Sequence, residues 1–246
     1  LAFIFQNPTT YLNPLLTVGA QIAEIFEVNP QLLTSEGRGS LSRRERRDRA
    51  SRMVIDHLRL VHIPDPERIA RQYPFELSGG MQQRAVIAMA LIRRPSLVIA
   101  DEITTALDVT VQAQILSLLS ELKGSIGMTL LLITHDMGIV AQLADRVAVM
   151  YSGSVAECAD VARLFAEARH PYSRALLEAV PKIQGGDLAL CAIPGGIPAI
   201  TSPPPGCRFH PRCPNAFAPC TSAIPRRVSL GSRHSVACHL YGGASA

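Results

Sequence analysis

LSGGMQQRAVIAMALIRRPSLVIADEITTALD, residues Leu77 to Asp108, decides the fold of this 246-residue chain. The stretch reads as a loop, a helix and a buried strand, with chemistry at both ends. Ser78 is a good helix N-cap. Gly79 and Gly80 leave the first helical N–H groups clear of side chains, so a phosphate can sit against the positive end of the helix dipole. The helix runs through Ala85, Met89 and Ile92 and stops before Pro95. Leu97, Val98, Ile99 and Ala100 then form an apolar run short enough for a buried parallel strand. Asp101 and Glu102 stand at its carboxyl end. One carboxylate can hold Mg²⁺ through water, while its neighbour, pointing the other way, polarises an attacking water. An isolated acid pair would mark only a solvated strand end; its order after LSGGMQQR, one helix away, favours chemistry.

Working outward, Val111, Ile115, Leu118, Leu119 and Leu122 mark one face of an amphipathic helix that is expected to end at Gly124. Thr129 to Ile133 is expected as a second buried strand, followed by Thr134, His135 and Asp136. A strand–helix–strand crossover implies a parallel pair, which brings Asp101, Glu102 and His135 to one edge. Upstream, Leu1 to Phe5 reads as an apolar strand that looks cut, since no methionine or loop precedes it. Gln6 follows, and Pro8, Asn13 and Pro14 punctuate a loop before a helix starting near Thr17. Glu45 and Asp48 interrupt the arginines of SRRERRDR at helical spacing, which favours a solvated, internally paired helix face over nucleic-acid binding.

In this order the motifs resemble the nucleotide-binding subunit of ATP-binding cassette (ABC) transporters. LSGGMQQR looks like the family signature, LVIADE like the Walker B strand, Ala106, Leu107 and Asp108 like the D-loop, Gln6 like the Q-loop glutamine and His135 like the H-loop histidine. The resemblance implies an α/β, P-loop NTPase-like cassette: a parallel sheet core with an α-helical subdomain over about 17–77, together spanning 1–160. It implies Glu102 and His135 as catalytic, and Gln6, Ser78, Gly79, Gly80, Gln82, Asp101 and Asp108 as ATP-binding, with Mg²⁺ held through Gln6 and Asp101. Ile103 stands where the family usually has proline, which is expected to loosen the turn after the catalytic acid and tune the rate. The phosphate-binding pattern G-x-x-x-x-G-K-[ST] does not occur in the sequence, so the chain reads as a truncated cassette that is inactive alone.

With 48% hydrophobic residues the chain can bury a core. No apolar run approaches the ~20 residues that span a bilayer, so membrane association is expected to go through partners. The net charge of +4 belongs to the tail, where Arg208, Arg212, Arg226, Arg227 and Arg233 face Asp187 alone from Ile183 onward. Without interleaved aromatics these arginines favour solvation or an acidic neighbour over nucleic acid. Arg146–Met150 and Ser154–Glu157 bracket a hairpin turn at Tyr151, Ser152 and Gly153, with Cys158 in a loop just beyond.

Ten of the 18 prolines lie from Pro181 onward, which predicts an irregular appendage over 161–246 instead of further sheet. It carries Cys207, Cys213, Cys220 and Cys238. Four thiolates on a proline-stiffened segment can bind zinc or a [4Fe–4S] cluster, or stay unligated. HPYSRALLEAVP, IPGGIPAITSPPPGCRFHPRCPNAF and the later cysteines resemble the C-terminal extension of oligopeptide and dipeptide permease ATPases. That resemblance favours the iron–sulfur cluster over zinc; Cys191 lies outside the pattern, and His210, His234 and His239 are spare ligand candidates for which a structural role is expected.

The resemblance further implies ATP bound between two cassettes, identical or not, each offering Ser78, Gly79 and Gly80 to the other's γ phosphate. Hydrolysis would drive two transmembrane permease subunits to import di- or oligopeptides delivered by an extracytoplasmic binding protein. The chain would sit peripherally on the cytoplasmic face of the inner membrane, without nucleic acid. A nickel or other small-solute importer, a non-transport cassette protein and a non-catalytic remnant are the alternatives.

Overall fold

The computed structural model describes residues 1–33, 42–105, 107–180, 193–199 and 201–242. The expectations for Ala106, Asp187 and Cys191 therefore lie outside the described residues. The chain divides into two compact units, Leu1–His135 and Asp136–Ala246.

The first unit is α/β. Its elements are β1 (Ala2–Ile4), α1 (Pro8–Tyr11), α2 (Val18–Val28), α3 (Arg43–Leu60), α4 (Pro66–Ile69), α5 (Gly79–Leu91), β2 (Leu97–Asp101), α6 (Val109–Ile126) and β3 (Thr129–Ile133). The three strands form one parallel sheet with β2 in the middle, in register Ala2↔Val98 and Leu97↔Thr129 through Asp101↔Ile133. Parallel pairing puts the carboxyl ends of β2 and β3 together, as the crossover requires, and the Glu102 N–H extends the ladder to the Ile133 carbonyl at 2.9 Å. β2 alternates half-buried with buried positions, Val98 and Ala100 being sealed from solvent.

The expectation that β3 is buried is corrected. It lies at the sheet edge among the described strands, and Leu131 and Ile133 are about half exposed. Leu130 and Leu132, which point to the other face, are half-buried. The end of α6 is also corrected: the helix passes through Gly124 and stops at Gly127, whose φ of 72° supplies the left-handed cap. Helix α5 buries Ala85, Val86, Ile87 and Ala88 in succession, so it is an interior helix. Helix α3 opens with a capping box between Ser42 and Glu45, so Glu45 serves the helix start, and its arginine-rich first turns face solvent.

The second unit contains α7 (Met137–Leu143), β4 (Arg146–Tyr151), β5 (Ser154–Asp160), α8 (Val161–Glu167), α9 (Pro171–Glu178), α10 (Ala218–Ser222), β6 (Arg227–Ser229) and β7 (Ser235–Ala237). The β4–β5 hairpin turns at Ser152 and Gly153, with φ of 45° and 77°, the paired left-handed residues of a tight hairpin. The expectation of a tail without further sheet is overturned. β7 pairs antiparallel with β5 and β6 with β7, giving one sheet in the order β4-β5-β7-β6. Cys158, expected in a loop, lies within β5 opposite Ala148 and accepts a hydrogen bond from Arg146 Nη2 at 3.4 Å.

Under this sheet pack Met137, Val140, Val149, Ala159, Leu164 and Ala168. A buried carboxylate joins three segments there. Glu157 Oε1 accepts from the Arg169 N–H and from His234 Nε2, both at 2.8 Å, and Oε2 accepts from the His170 N–H at 2.9 Å. The Glu157 and His234 side chains are fully inaccessible. His234, a spare ligand candidate expected to be structural, is a structural partner of β5. The tail arginines also work internally: Arg212 donates to the carbonyls of Pro194 and Ile193 at 2.8 and 2.7 Å, Arg208 to that of Ser152, and Arg233 pairs with Asp160 at 2.8 Å.

Candidate nucleotide site and cysteine cluster

Glu102 leaves β2 with a φ of 45°, a left-handed conformation that side chains other than glycine and asparagine rarely adopt. Gln6, directly beyond β1, donates from Nε2 to Glu102 Oε2 at 2.9 Å. His135, two residues past β3, places Nδ1 3.0 Å from Glu102 Oε1. Thr105 Oγ1 lies 3.0 Å from the Glu102 carbonyl and 3.2 Å from Oε2. Three parallel strands thus deliver a glutamine, an acid and a histidine to one point. The hydrogen bond from His135, and then that from Thr105, outweigh desolvation and hold the Glu102 carboxyl below the ordinary carboxylate range. Its side chain is 29% exposed and that of His135 74%, so the pair is open to a reactant.

Asp101 ends β2 half-buried beside this point. Gln6 donates through nitrogen, which leaves its Oε1 free to accept. A carboxylate and a carboxamide oxygen are the hard donors that Mg²⁺ takes in ones and twos with water, so these residues fit that ion.

The signature segment sits where α5 begins. Ser78 caps α5, accepting from the Met81 N–H at 3.4 Å. Gly79 is exposed, whereas Gly80 is buried against α6: a Cβ there would come within 2.5 Å of Val111 Cγ1. The second glycine therefore allows close helix approach in addition to clearing N–H groups. Gln82 is buried and donates to the carbonyls of Pro74 and Leu77 at 2.8 and 3.3 Å, bracing the loop that leads into Ser78. Asp108 caps α6, accepting from the Val111 N–H at 2.9 Å. Ile103 is buried, and the Thr105 N–H to Glu102 carbonyl bond at 3.2 Å closes the turn around it. Sequence reasoning passed over Thr105. A threonine three residues after the acid, able to bond back to the main chain, was the available signal.

The four tail cysteines gather in the second unit. Cys207 donates its N–H to the Cys220 carbonyl at 2.9 Å, and Gly206, with φ of 68°, lets this segment approach α10 so closely that a Cβ would lie 2.5 Å from that oxygen. Burial raises the thiol pKa of Cys207, Cys213 and Cys238, and nearby cysteines raise each further. Opposing this, backbone N–H groups point at sulfur: those of Phe209 and His210 at Cys207, of Asn215 at Cys213 and of Leu240 at Cys238. Donors aimed at thiols are what a thiolate–metal site needs. Among the described residues, however, no three His, Cys, Asp or Glu side chains close to ligating distance.

Residues 1–105 match the family model described as ABC transporter, and residues 156–220 match that of the oligopeptide/dipeptide transporter C-terminal region. The chain is 47% identical over 239 residues to a probable peptide ABC transporter ATP-binding protein, y4tR, of Sinorhizobium fredii, covering 97% of the chain and 68% of that protein. It is 45% identical over 240 residues to the dipeptide transport ATP-binding protein DppD of Bacillus subtilis, covering 98% and 68%. Among solved structures, a dimeric ATP-binding cassette in a post-hydrolysis state with ADP and Pi is similar at 31% identity and a TM-score of 0.50, covering 65% of this chain and 62% of that one. The cbiO1 protein of Clostridium perfringens, part of an ABC transporter complex, is similar at 28% identity and a TM-score of 0.54, covering 68% and 59%. With the signature, the acid pair and the histidine assembled on a parallel sheet, and a tail of the matching type, this chain belongs to the family of oligopeptide/dipeptide ABC transporter ATP-binding proteins.

Proposed function

We propose that the subunit containing this chain hydrolyses ATP to energise peptide import through an ABC transporter. The observation that carries this reading is the convergence of Gln6, Thr105 and His135 on Glu102 at the ends of three parallel strands. Glu102 takes up the proton of the attacking water as its oxygen bonds to the γ phosphorus and the bond from that phosphorus to the bridging oxygen breaks, releasing ADP and phosphate. His135 orients the carboxylate by donating from Nδ1 to Oε1. Gln6 and Asp101 hold Mg²⁺, which when bound neutralises charge on the β and γ phosphates. Ser78 and Gly79, exposed at the start of α5, serve the nucleotide of a second cassette subunit, and Gly80, Gln82 and Asp108 keep that surface in shape.

The subunit acts peripherally on two transmembrane permease partners, with a substrate-binding protein outside the membrane; no described helix is long and apolar enough to cross one. Peptides as cargo follow from the relatives' names and from the tail they share. The test is ATP turnover by the full-length subunit with its permease partners: Glu102→Gln should lower kcat about 10²- to 10⁴-fold. Stimulation by dipeptides, and not by Ni²⁺, is the expected specificity, and the reverse would favour a metal importer.

A second reading concerns the tail. Drawn closer than they stand here, Cys207, Cys213, Cys220 and Cys238 would hold a [4Fe–4S] cluster, a reading supported by the N–H groups directed at three of the sulfurs. Such a cluster would bridge the segments that carry the thiols. Anaerobic purification should give broad absorbance near ~400 nm; a colourless, zinc-containing protein would replace this reading by zinc.

A further inference from the structure

We infer that Thr105 is a positioning residue for the hydrolytic carboxylate: its hydroxyl both closes the turn after β2 and holds Glu102 in the one orientation that leaves an acceptor site for water. The inference rests on the assignment of Glu102 as the residue that activates water.

Glu102 is a poor candidate for a fixed side chain on intrinsic grounds. It follows a strand, its backbone is left-handed, and its carboxylate is open to solvent. A left-handed non-glycine residue persists only where its surroundings over-determine it. Here the Glu102 N–H is bound to Ile133, and its carbonyl accepts from both the N–H and the hydroxyl of Thr105. Buried Ile103 and Thr104 anchor the intervening residues. Thr105 thus sets the backbone from which the carboxylate projects, and the same Oγ1 reaches Oε2.

A carboxylate has about four acceptor sites on its two oxygens. Gln6 and Thr105 share Oε2, and His135 occupies one site on Oε1. The remaining site lies on Oε1, beside the histidine. Gln6 and His135 come from loops beyond β1 and β3, whereas Thr105 is three residues from Glu102 in the same turn. Two substitutions isolate the hydroxyl: serine keeps it, and valine keeps the shape without it.

Two measurements on the full-length subunit test this. ¹³C-carboxyl NMR at neutral pH, with the Glu102 signal assigned from Glu102→Gln, compares the Glu102 carboxyl in the wild type, Thr105→Val and Thr105→Ser. Loss of the hydroxyl should move the signal from its wild-type position, and serine should restore it. Thr105→Val should lower kcat about 3- to 10-fold with KM for ATP unchanged. Thr105→Ser should again recover it. An unmoved carboxyl signal in Thr105→Val, or a loss confined to KM, would overturn the inference. Absence of Glu102-dependent turnover in the wild type would instead overturn the functional reading, and the carboxyl signal would still decide the role of Thr105.

Discussion

Glu102 and Glu157 are each held by three donor groups, one of them a histidine, and they do opposite work. Glu102 is gripped by side chains from three segments and remains 29% exposed. Glu157 is gripped by two backbone N–H groups and a buried imidazole, with no accessible surface. Side-chain donors at a strand end can move with their loops and leave an acceptor site for water. Main-chain donors inside a core cannot. The contrast separates a carboxylate arranged to react from one arranged to hold a fold, although the residue type and the number of donors are the same.

Exchanging the two roles by mutation should expose the difference. Glu157→Ala strands two buried N–H groups and the His234 imidazole, so it should destabilise the second unit by about 3–5 kcal/mol in urea unfolding. The comparison fails if that change is as mild for folding as Glu102→Gln, which should leave unfolding unaltered. A pH series gives the next largest effect. Burial pushes the His170 imidazole down to about 4, against a smaller opposing effect of Glu157. Between that value and its ordinary 6.5, the unfolded chain takes up a proton that the folded chain refuses. Stability complete above pH 6.5 should therefore be lost as pH falls toward 4, by about 3 kcal/mol. His170→Asn should flatten this dependence. Hydrolysis behaves differently: the depressed Glu102 carboxyl stays ionised as pH falls through the ordinary carboxylate range, so its acid limit should lie lower still. The smallest effect is Ser78→Ala, which removes the cap of α5 and should cost about 1 kcal/mol in the first unit, read by thermal unfolding.

The site was legible in the sequence where chain order and strand ends define it. The run LVIADE, the crossover helix and the second strand fix a parallel pair, and with it the meeting of Glu102 and His135. The second unit was less legible because its contacts are distant and its strands short. RVS and SVA, three residues each, are too brief to show alternation, so β6 and β7 disappeared into a proline-rich background. Glu157 met partners 12, 13 and 77 residues away, a connection that no local pattern encodes. Gly124 and Gly127 are both plausible helix stops on paper. Only the backbone angle at Gly127 decides between them. The exposure of β3 depends on what lies beside it, which its apolar composition does not reveal.

The pairing of β5 with β7 also bears on how the chain emerges from the ribosome. The hairpin partner of β5 is made within a few residues of it, but His234 follows Glu157 by 77 residues. Until translation reaches that point, the inner edge of β5 has no strand and its carboxylate no imidazole. A polypeptide stopped short of His234 would carry an open strand edge and an uncovered buried acid, the features that proteases and chaperones act on. β7 thus serves as a check on progress: the second unit closes only once the chain has been read past His234.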